Sequence, residues 1–586
     1  MSTSITESTI SSVQGVQGML TAITALGLTG HRFPAGVDVE DGAVFDFLTI
    51  GSGAGGSVVA SRLSEDPNAS VLLLEAGQVA PLESTYVGLF PVLVNSAYDW
   101  NATSTNDNYA NQCLQNNVVE TTMGKMLGGS SGLDHVIAVR ANKFDMERWA
   151  KATGDDSFNH ENMKKYYINS ETLNDKDILA EYASHHGTKG PLQLIRETSD
   201  KNKDILESFK ELGHDIILDI NADLSLGYTE PLLLKTEEWR QSAAEAYLGA
   251  AKNRPNLFVQ MGALVTKIYI NSSNVATGVE ILTSDGVTKS IYARKEVILC
   301  GGAIKSPQLL MLSGVGPKSH LEEFGIEVKA DLPVGENLMD HVSAIVGITL
   351  KESDEKVLPN TMQFPVPMTT GYVSLDGTED PTYQSINLYF PHDNAGLLQL
   401  CAFAFKYNNT VCEALYKANT GRDLLFSVIN LMHPESSGSV RLNSVHPAAN
   451  PTINLGHLSN PNDLDNLAKS LQDFVTLLDT SYFKNIGAKL VDIDLTCNSL
   501  DRTSFEFFKC YARWMSATMW HYSSTCAIGK VLDSDMTVKG IQNLRVVDAS
   551  AMPYTVTGNI ISNIYAMAEK AVENIKAKWC YSEPSF

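Results

Sequence analysis

Apolar and polar positions along the chain first mark a compact unit near its start. Phe45–Ile50 reads as an apolar strand, Ser57–Leu63 as a helix entered from a glycine run, and Val71–Leu74 as a second strand, together a βαβ unit. A second β-rich stretch runs through Val265–Ile270, Ala276–Leu282 and Ser290–Leu299, with Ser284-Asp285-Gly286 supplying a turn. A helix with a proline in its first turn is predicted at Ser306–Leu312. Ala344 to Ala512 mixes strands with long loops, and the strand Leu544–Val547 and helix Ile561–Ile575 read as a return to the first domain. Upstream, Val13, Val16, Met19, Leu20, Ile23 and Leu26 recur at helical spacing in the uncharged stretch Ser8–Gly30. That stretch lacks a basic leader and is interrupted by Gln14, Gln17, Thr21 and Thr24, so it reads as an amphipathic helix packed on the body and not as a signal or membrane anchor.

Composition narrows the class. Hydrophobic residues make up 44% of the 586, enough for a substantial core, and no internal repeat or low-complexity linker divides the chain. With 44 Lys+Arg against 67 Asp+Glu the net charge is −23, which disfavours nucleic acid and anionic lipid as partners. The eight cysteines contain no CxxC pair, so neither a zinc site nor a dithiol centre is expected, and their even number leaves disulfides open. Sequons for N-glycosylation stand at Asn68, Asn101, Asn271 and Asn408, a number that chance alone supplies in a chain this rich in Asn, Ser and Thr.

The chemistry is concentrated in a few segments. Gly51-Ser52-Gly53-Ala54-Gly55-Gly56 lies between strand and helix, with Glu75 ending the next strand. In a dinucleotide site Gly51 makes the tight turn, Gly53 admits the pyrophosphate to the helix N-terminus, Gly56 lets helix and strand pack, and Glu75 accepts from the ribose. Nothing downstream repeats the pattern, so one dinucleotide is expected. A second small-residue loop, Gly124-Lys125-Met126-Leu127-Gly128-Gly129-Ser130-Ser131, offers another close backbone approach.

With Gly302-Ala303-Ile304-Lys305-Ser306-Pro307-Gln308 through Gly316, these loops resemble the two signatures of the glucose–methanol–choline oxidoreductases. The likeness continues in Pro333–His341 and Leu544–Pro553 and covers nearly the whole chain after Phe45. It implies an α/β fold, α+β overall: a Rossmann-like FAD-binding domain interleaved with a substrate-binding domain on a mostly antiparallel sheet with helices. The expected division is an N-terminal segment 1–43, a discontinuous FAD domain 44–195, 230–343 and 535–586, and a substrate domain 196–229 and 344–534.

The resemblance also assigns roles. His521 and Asn559 match the family's catalytic pair, the histidine taking the alcohol proton and the amide holding the same oxygen. Gly128, Gly129, Ser130, Asp134 and His135 are placed beside the flavin, Val265 at the adenine, and Asp548 at the ribityl–phosphate region. Leu133-Asp134-His135 departs from the usual pattern. Leu133 stands where some relatives attach the flavin through histidine, which implies non-covalent FAD, and Asp134 with His135 is expected to form a local hydrogen-bonded pair. His341 is assigned a structural hydrogen bond, and Cys300 and Cys526 read as small buried residues.

The Arg240–Leu248 segment is similar to the family's insect branch, and the short Cys526–Ser534 link with His135 to members acting on ecdysteroids. A small-molecule alcohol, an ecdysteroid, with molecular oxygen as acceptor is therefore implied. A quinone-dependent dehydrogenase and a non-redox hydroxynitrile lyase are the alternatives. Met362, Phe364, Phe390, Trp514, Met515 and Trp520 are the apolar candidates for the substrate pocket; no metal is expected.

Overall fold

A computed structural model of the chain describes residues 32–223, 225–354 and 366–580. The helix expected between Ser8 and Gly30, and the pocket candidates Met362 and Phe364, lie outside the described residues.

Strand β1 (Val44–Ile50), helix α1 (Ala54–Leu63) and β2 (Val71–Leu74) form the βαβ unit. β2 is buried at every position, which is why it reads as an apolar run without alternation. The sheet continues through β3 (Leu257–Gln260), β4 (Ala263–Ile270), β5 (Ala276–Thr283) and the long β6 (Thr288–Leu299) in the order β3-β2-β1-β6-β5-β4. β3, β2, β1 and the C-terminal half of β6 run parallel, whereas β5 and β4 fold back antiparallel on the N-terminal half of β6.

Helix α2 spans Gly302–Leu312 and begins four residues before its predicted start, so Pro307 is interior and not in the first turn. Proline has no N–H for the carbonyl four residues back. That carbonyl, of Ala303, instead accepts from the Thr525 hydroxyl at 2.6 Å, a tertiary bond invisible to local pattern.

A second, wholly antiparallel sheet is built from β7 (Val342–Glu352), β8 (Met368–Val373), β9 (Tyr383–Phe390) and β10 (Arg422–Leu431). Gly227–Thr229 extends it beyond β8, and β11 (Ser516–Thr518) pairs with the start of β7. Every position of β8 and β9 is buried, so both faces are covered and the polar side chains among them must find partners inside. β12 (Leu544–Val546) then returns to the first sheet beside β6. Helix α3 (Ile561–Trp579) packs along α1, locked by the Arg62 guanidinium on Glu569 at 2.9–3.0 Å. The fold is thus mixed α/β, with a mainly parallel nucleotide-type sheet and an antiparallel lobe. Among the described residues no helix is long and apolar enough to cross a membrane.

Candidate active site

One continuous cavity runs from the glycine loop after β1, past the start of α2, to His521 and Asn559. Its floor is set by close backbone packing. Gly51 has φ 93°, and a Cβ on Gly55 or Gly56 would lie 2.0 Å from the Val547 carbonyl oxygen or 1.8 Å from that of Gly51. At Gly53 a Cβ would meet nothing within 4 Å, because that residue faces the cavity. The N-terminus of α1 carries no side-chain cap and no acidic residue in its first turn. Open backbone N–H groups, a facing void and the helix dipole fit a pyrophosphate.

Glu75 lies at the cavity wall, where Oε2 accepts from the Ser52 N–H and hydroxyl at 2.9 and 2.6 Å and Oε1 from the Gly77 N–H at 2.8 Å. Burial raises its pKa against these bonds. Gly129, Ser130 and Val265 also line the cavity, while Gly56 sits behind it against the Gly51 carbonyl and Gly128 against Ala244 and Ser242. Asp548 reaches the cavity but is heavily engaged: it accepts from the Gly302 N–H and Ser306 hydroxyl at 2.9 and 2.6 Å, and from the Ser550 N–H and hydroxyl at 2.7 and 2.5 Å. It therefore fixes the N-terminus of α2 at the cavity edge.

Asp134 and His135 both line the cavity but do not form the expected pair. Asp134 is held by the buried Arg240, whose Nη1 donates to both its carboxylate and its backbone carbonyl at 2.5 and 2.7 Å. Burial still pushes Asp134 up to about 6, outweighing the guanidinium. His135 stands edge-on to Phe90 and Trp520 at 4.4 and 5.8 Å, and burial, with Arg240 adding, lowers it to about 4. Sequence reasoning noticed the Arg240 segment only as a likeness; a cation among small residues was the available signal.

At the other end His521 follows β11 on a constrained turn: Trp520 has φ 56°, a region non-glycine residues rarely adopt. Asp340 holds that turn, one oxygen accepting from the His521 N–H at 2.9 Å and the other from the Thr518 hydroxyl at 2.6 Å and His457 Nε2 at 3.0 Å.

A chain of bonds then fixes the imidazole. His341 Nε2 lies 3.1 Å from the Met432 carbonyl, which can only accept, so the proton is on Nε2 and His341 Nδ1 is an acceptor. His521 Nδ1, 2.8 Å from His341 Nδ1, must therefore donate. Neutral His521 then has its Nε2 unprotonated, and Asn559 Nδ2 lies 3.4 Å from it. The Asn559 oxygen faces Gln384 Nε2 at 3.5 Å, which orients the amide nitrogen toward the histidine. Burial first, then His341 and His135, lowers the His521 pKa well below the ordinary histidine value, and burial lowers His341 to about 4. The hydrogen bond expected of His341 is thus made to His521 itself, and the Asp340-His341 dipeptide supports both backbone and ring.

The pocket candidates divide. Trp520 borders the main cavity, Phe390 a smaller apolar one that shares Phe90, His135, Ile137 and Met519 with it. Trp514 and Met515 line neither; Met515 is buried in the hydrophobic core and Trp514 packs against it. Cys300 and Cys526 are buried, and burial raises both thiols.

An unprotonated imidazole nitrogen and an amide at one end of a cavity, with an uncapped helix start at the other, fit a dinucleotide-dependent oxidoreductase. A family model described as GMC oxidoreductase matches residues 45–343, and its C-terminal counterpart matches 434–568. The chain belongs to the GMC oxidoreductase family and is an oxidoreductase acting on alcohol groups, and membership implies FAD. It is 34% identical to ecdysone oxidase of Bombyx mori over 95% of this chain and 85% of that one. It is 30% identical to glucose dehydrogenase [FAD, quinone] of Drosophila melanogaster, over 94% and 89%. A solved structure of formate oxidase from Aspergillus oryzae RIB40 superposes with a TM-score of 0.79 at 26% identity, covering 92% of this chain and 99% of that one.

Proposed function

We propose that the chain is an ecdysteroid oxidase: it binds FAD non-covalently, oxidises a secondary ring alcohol to the ketone, and passes the electrons to molecular oxygen to give hydrogen peroxide. The observation that carries the reading is the unprotonated Nε2 of His521 beside Asn559, directed into the cavity that begins at the glycine loop. An alcohol is a poor hydride donor until its hydroxyl proton leaves. FAD, when bound by the glycine loop, Glu75 and the segment around Asp548, supplies the hydride acceptor. His521 Nε2 takes the hydroxyl proton, Asn559 Nδ2 donates to the same oxygen, and Asp340 with His341 keeps the ring aimed.

The steroid assignment rests on the two ecdysone oxidases among the relatives and on the apolar lining around the base, where Phe90, His135, Trp520 and Phe405 follow one another in ring contact. Such a wall desolvates a rigid hydrocarbon and leaves its reacting hydroxyl the polar partners. Leu133, at the cavity wall, has no nucleophilic atom to join a flavin. The test compares ecdysone, glucose and an aryl alcohol as anaerobic flavin reductants, then admits air. Rapid bleaching by ecdysone with peroxide formed on reoxidation is expected. Bleaching by glucose alone, or reoxidation by quinone but not oxygen, would move the assignment to a glucose dehydrogenase-like enzyme. Acid precipitation should leave the yellow colour in the supernatant; colour on the pellet would overturn non-covalent binding.

A further inference from the structure

Against the sequence reading of Ser8–Gly30 as a packed helix and not a signal, we propose that this chain folds in the oxidising secretory pathway and carries an N-linked glycan at Asn271. Two independent features point there, and neither belongs to the active site.

The first is the partition of the cysteines. Cys401 pairs with Cys412 and Cys497 with Cys510. The first bridge joins the π-helical segment Gln399–Ala404 to the helix Asn409–Asn419; the second joins the short helix Thr496–Ser499 to the helix Phe505–Trp514. Structural disulfides form and persist in oxidising compartments and are rare where glutathione keeps thiols reduced. Three of the other four cysteines are kept out of exchange: Cys113, Cys300 and Cys526 are buried, and burial pushes Cys113 up to about 12 and raises the other two above an ordinary thiol, so none of the three presents a thiolate. Cys580 alone of the four is exposed.

The second is the state of the sequons. Asn271 opens the turn between β4 and β5, and Asn271, Ser272 and Ser273 are all exposed. Its side-chain oxygen accepts from the Ser273 and Val275 N–H groups at 2.9 and 3.0 Å, which turns Nδ2 outward. Of the other three, two have their amide nitrogens engaged and the third is half-buried. Asn68 Nδ2 donates to Asp66, Asn101 Nδ2 donates to the Ser96 carbonyl, and the half-buried Asn408 caps its helix through Val411. A glycan at Asn271 would displace none of these contacts. It would also stand clear of the cavity, since Val265 lies six residues and roughly 20 Å back along β4 at about 3.4 Å per residue.

The donor is a lipid-linked oligosaccharide. The bond from its sugar C1 to the diphosphate oxygen breaks, a C1–N bond to Asn271 Nδ2 forms, and the amide proton leaves with the diphosphate.

The test uses the full chain expressed in cultured insect cells. Treatment with peptide N-glycosidase should lower the intact mass by one glycan, and Asn271→Gln should remove that shift while keeping wild-type flavin content. Ser273→Ala, which destroys the sequon and leaves the asparagine, should do the same if the first variant folds poorly. Alkylation of the denatured, unreduced protein should label four thiols, and eight after reduction. Eight thiols without reduction, no glycosidase shift, or a shift that survives both variants would overturn the proposal.

Discussion

The two ends of the cavity are built in opposite ways. At the glycine loop, residues 51–56 and Glu75 come from one βαβ unit, and contacts between backbone atoms decide what can stand there. At the base, His521 depends on Asp340, His341, Met432, Gln384 and Asn559, drawn from four separate stretches of chain. The cofactor end should therefore fail all at once when a single atom is added. The catalytic end should degrade in steps as bonds are removed.

The largest effect is expected from Gly55→Val. Its side chain starts 2.0 Å from the Val547 carbonyl, against backbone that cannot yield, so the purified protein should carry no flavin absorbance. His521→Ala should keep the yellow fold but slow anaerobic flavin reduction roughly 10²-fold or more, the scale of a positioned acid–base group; reduction at the wild-type rate would remove the base assignment. His341→Leu leaves the His521 Nδ1 proton without its acceptor and should slow reduction by about 10- to 100-fold, the usual scale for losing a histidine's orienting partner. Because the effect acts through ring orientation, the apparent Kd of the alcohol should move little. Asn559→Ala removes one hydrogen bond, about 1 kcal/mol and roughly 5-fold in rate.

The smallest expected effect is on stability. His135 and His341 are held at about 4 and His521 is also lowered, while in the unfolded chain each titrates at about 6.5. Between about pH 4 and 6.5 the unfolded state binds more protons, so this contribution is complete above 6.5 and is lost as pH falls. Asp134, raised to about 6, binds its proton in the folded state and offsets part of the loss. Tm should decline from pH 7 to 5, and His135→Phe should flatten that decline.

The same contrast explains what the sequence revealed. The βαβ unit, β5, β6 and α3 were legible because apolar runs and glycine spacing are local properties. The true start of α2 was not, since the Ala303 carbonyl that Pro307 leaves unpaired finds its donor in the Thr525 hydroxyl, more than 200 residues away. Asp134 looked like a partner for its neighbour His135, yet the cation that holds it, Arg240, arrives from a distant segment. His521 and Asn559 were legible as a family likeness, but the identity of the bare nitrogen required the Met432 carbonyl. Trp514 and Met515 were misplaced because adjacency to His521 in sequence says nothing about which side of the turn faces the cavity.

The central claim is the protonation state of one ring, and nitrogen NMR of protein labelled with ¹⁵N-histidine reads it directly. His521, assigned by its loss in His521→Ala, should show a protonated Nδ1 and an unprotonated Nε2, unchanged from pH 8 to pH 6 because burial and its neighbours hold its pKa down. A proton on Nε2, or an imidazolium already present at pH 6, would contradict the account.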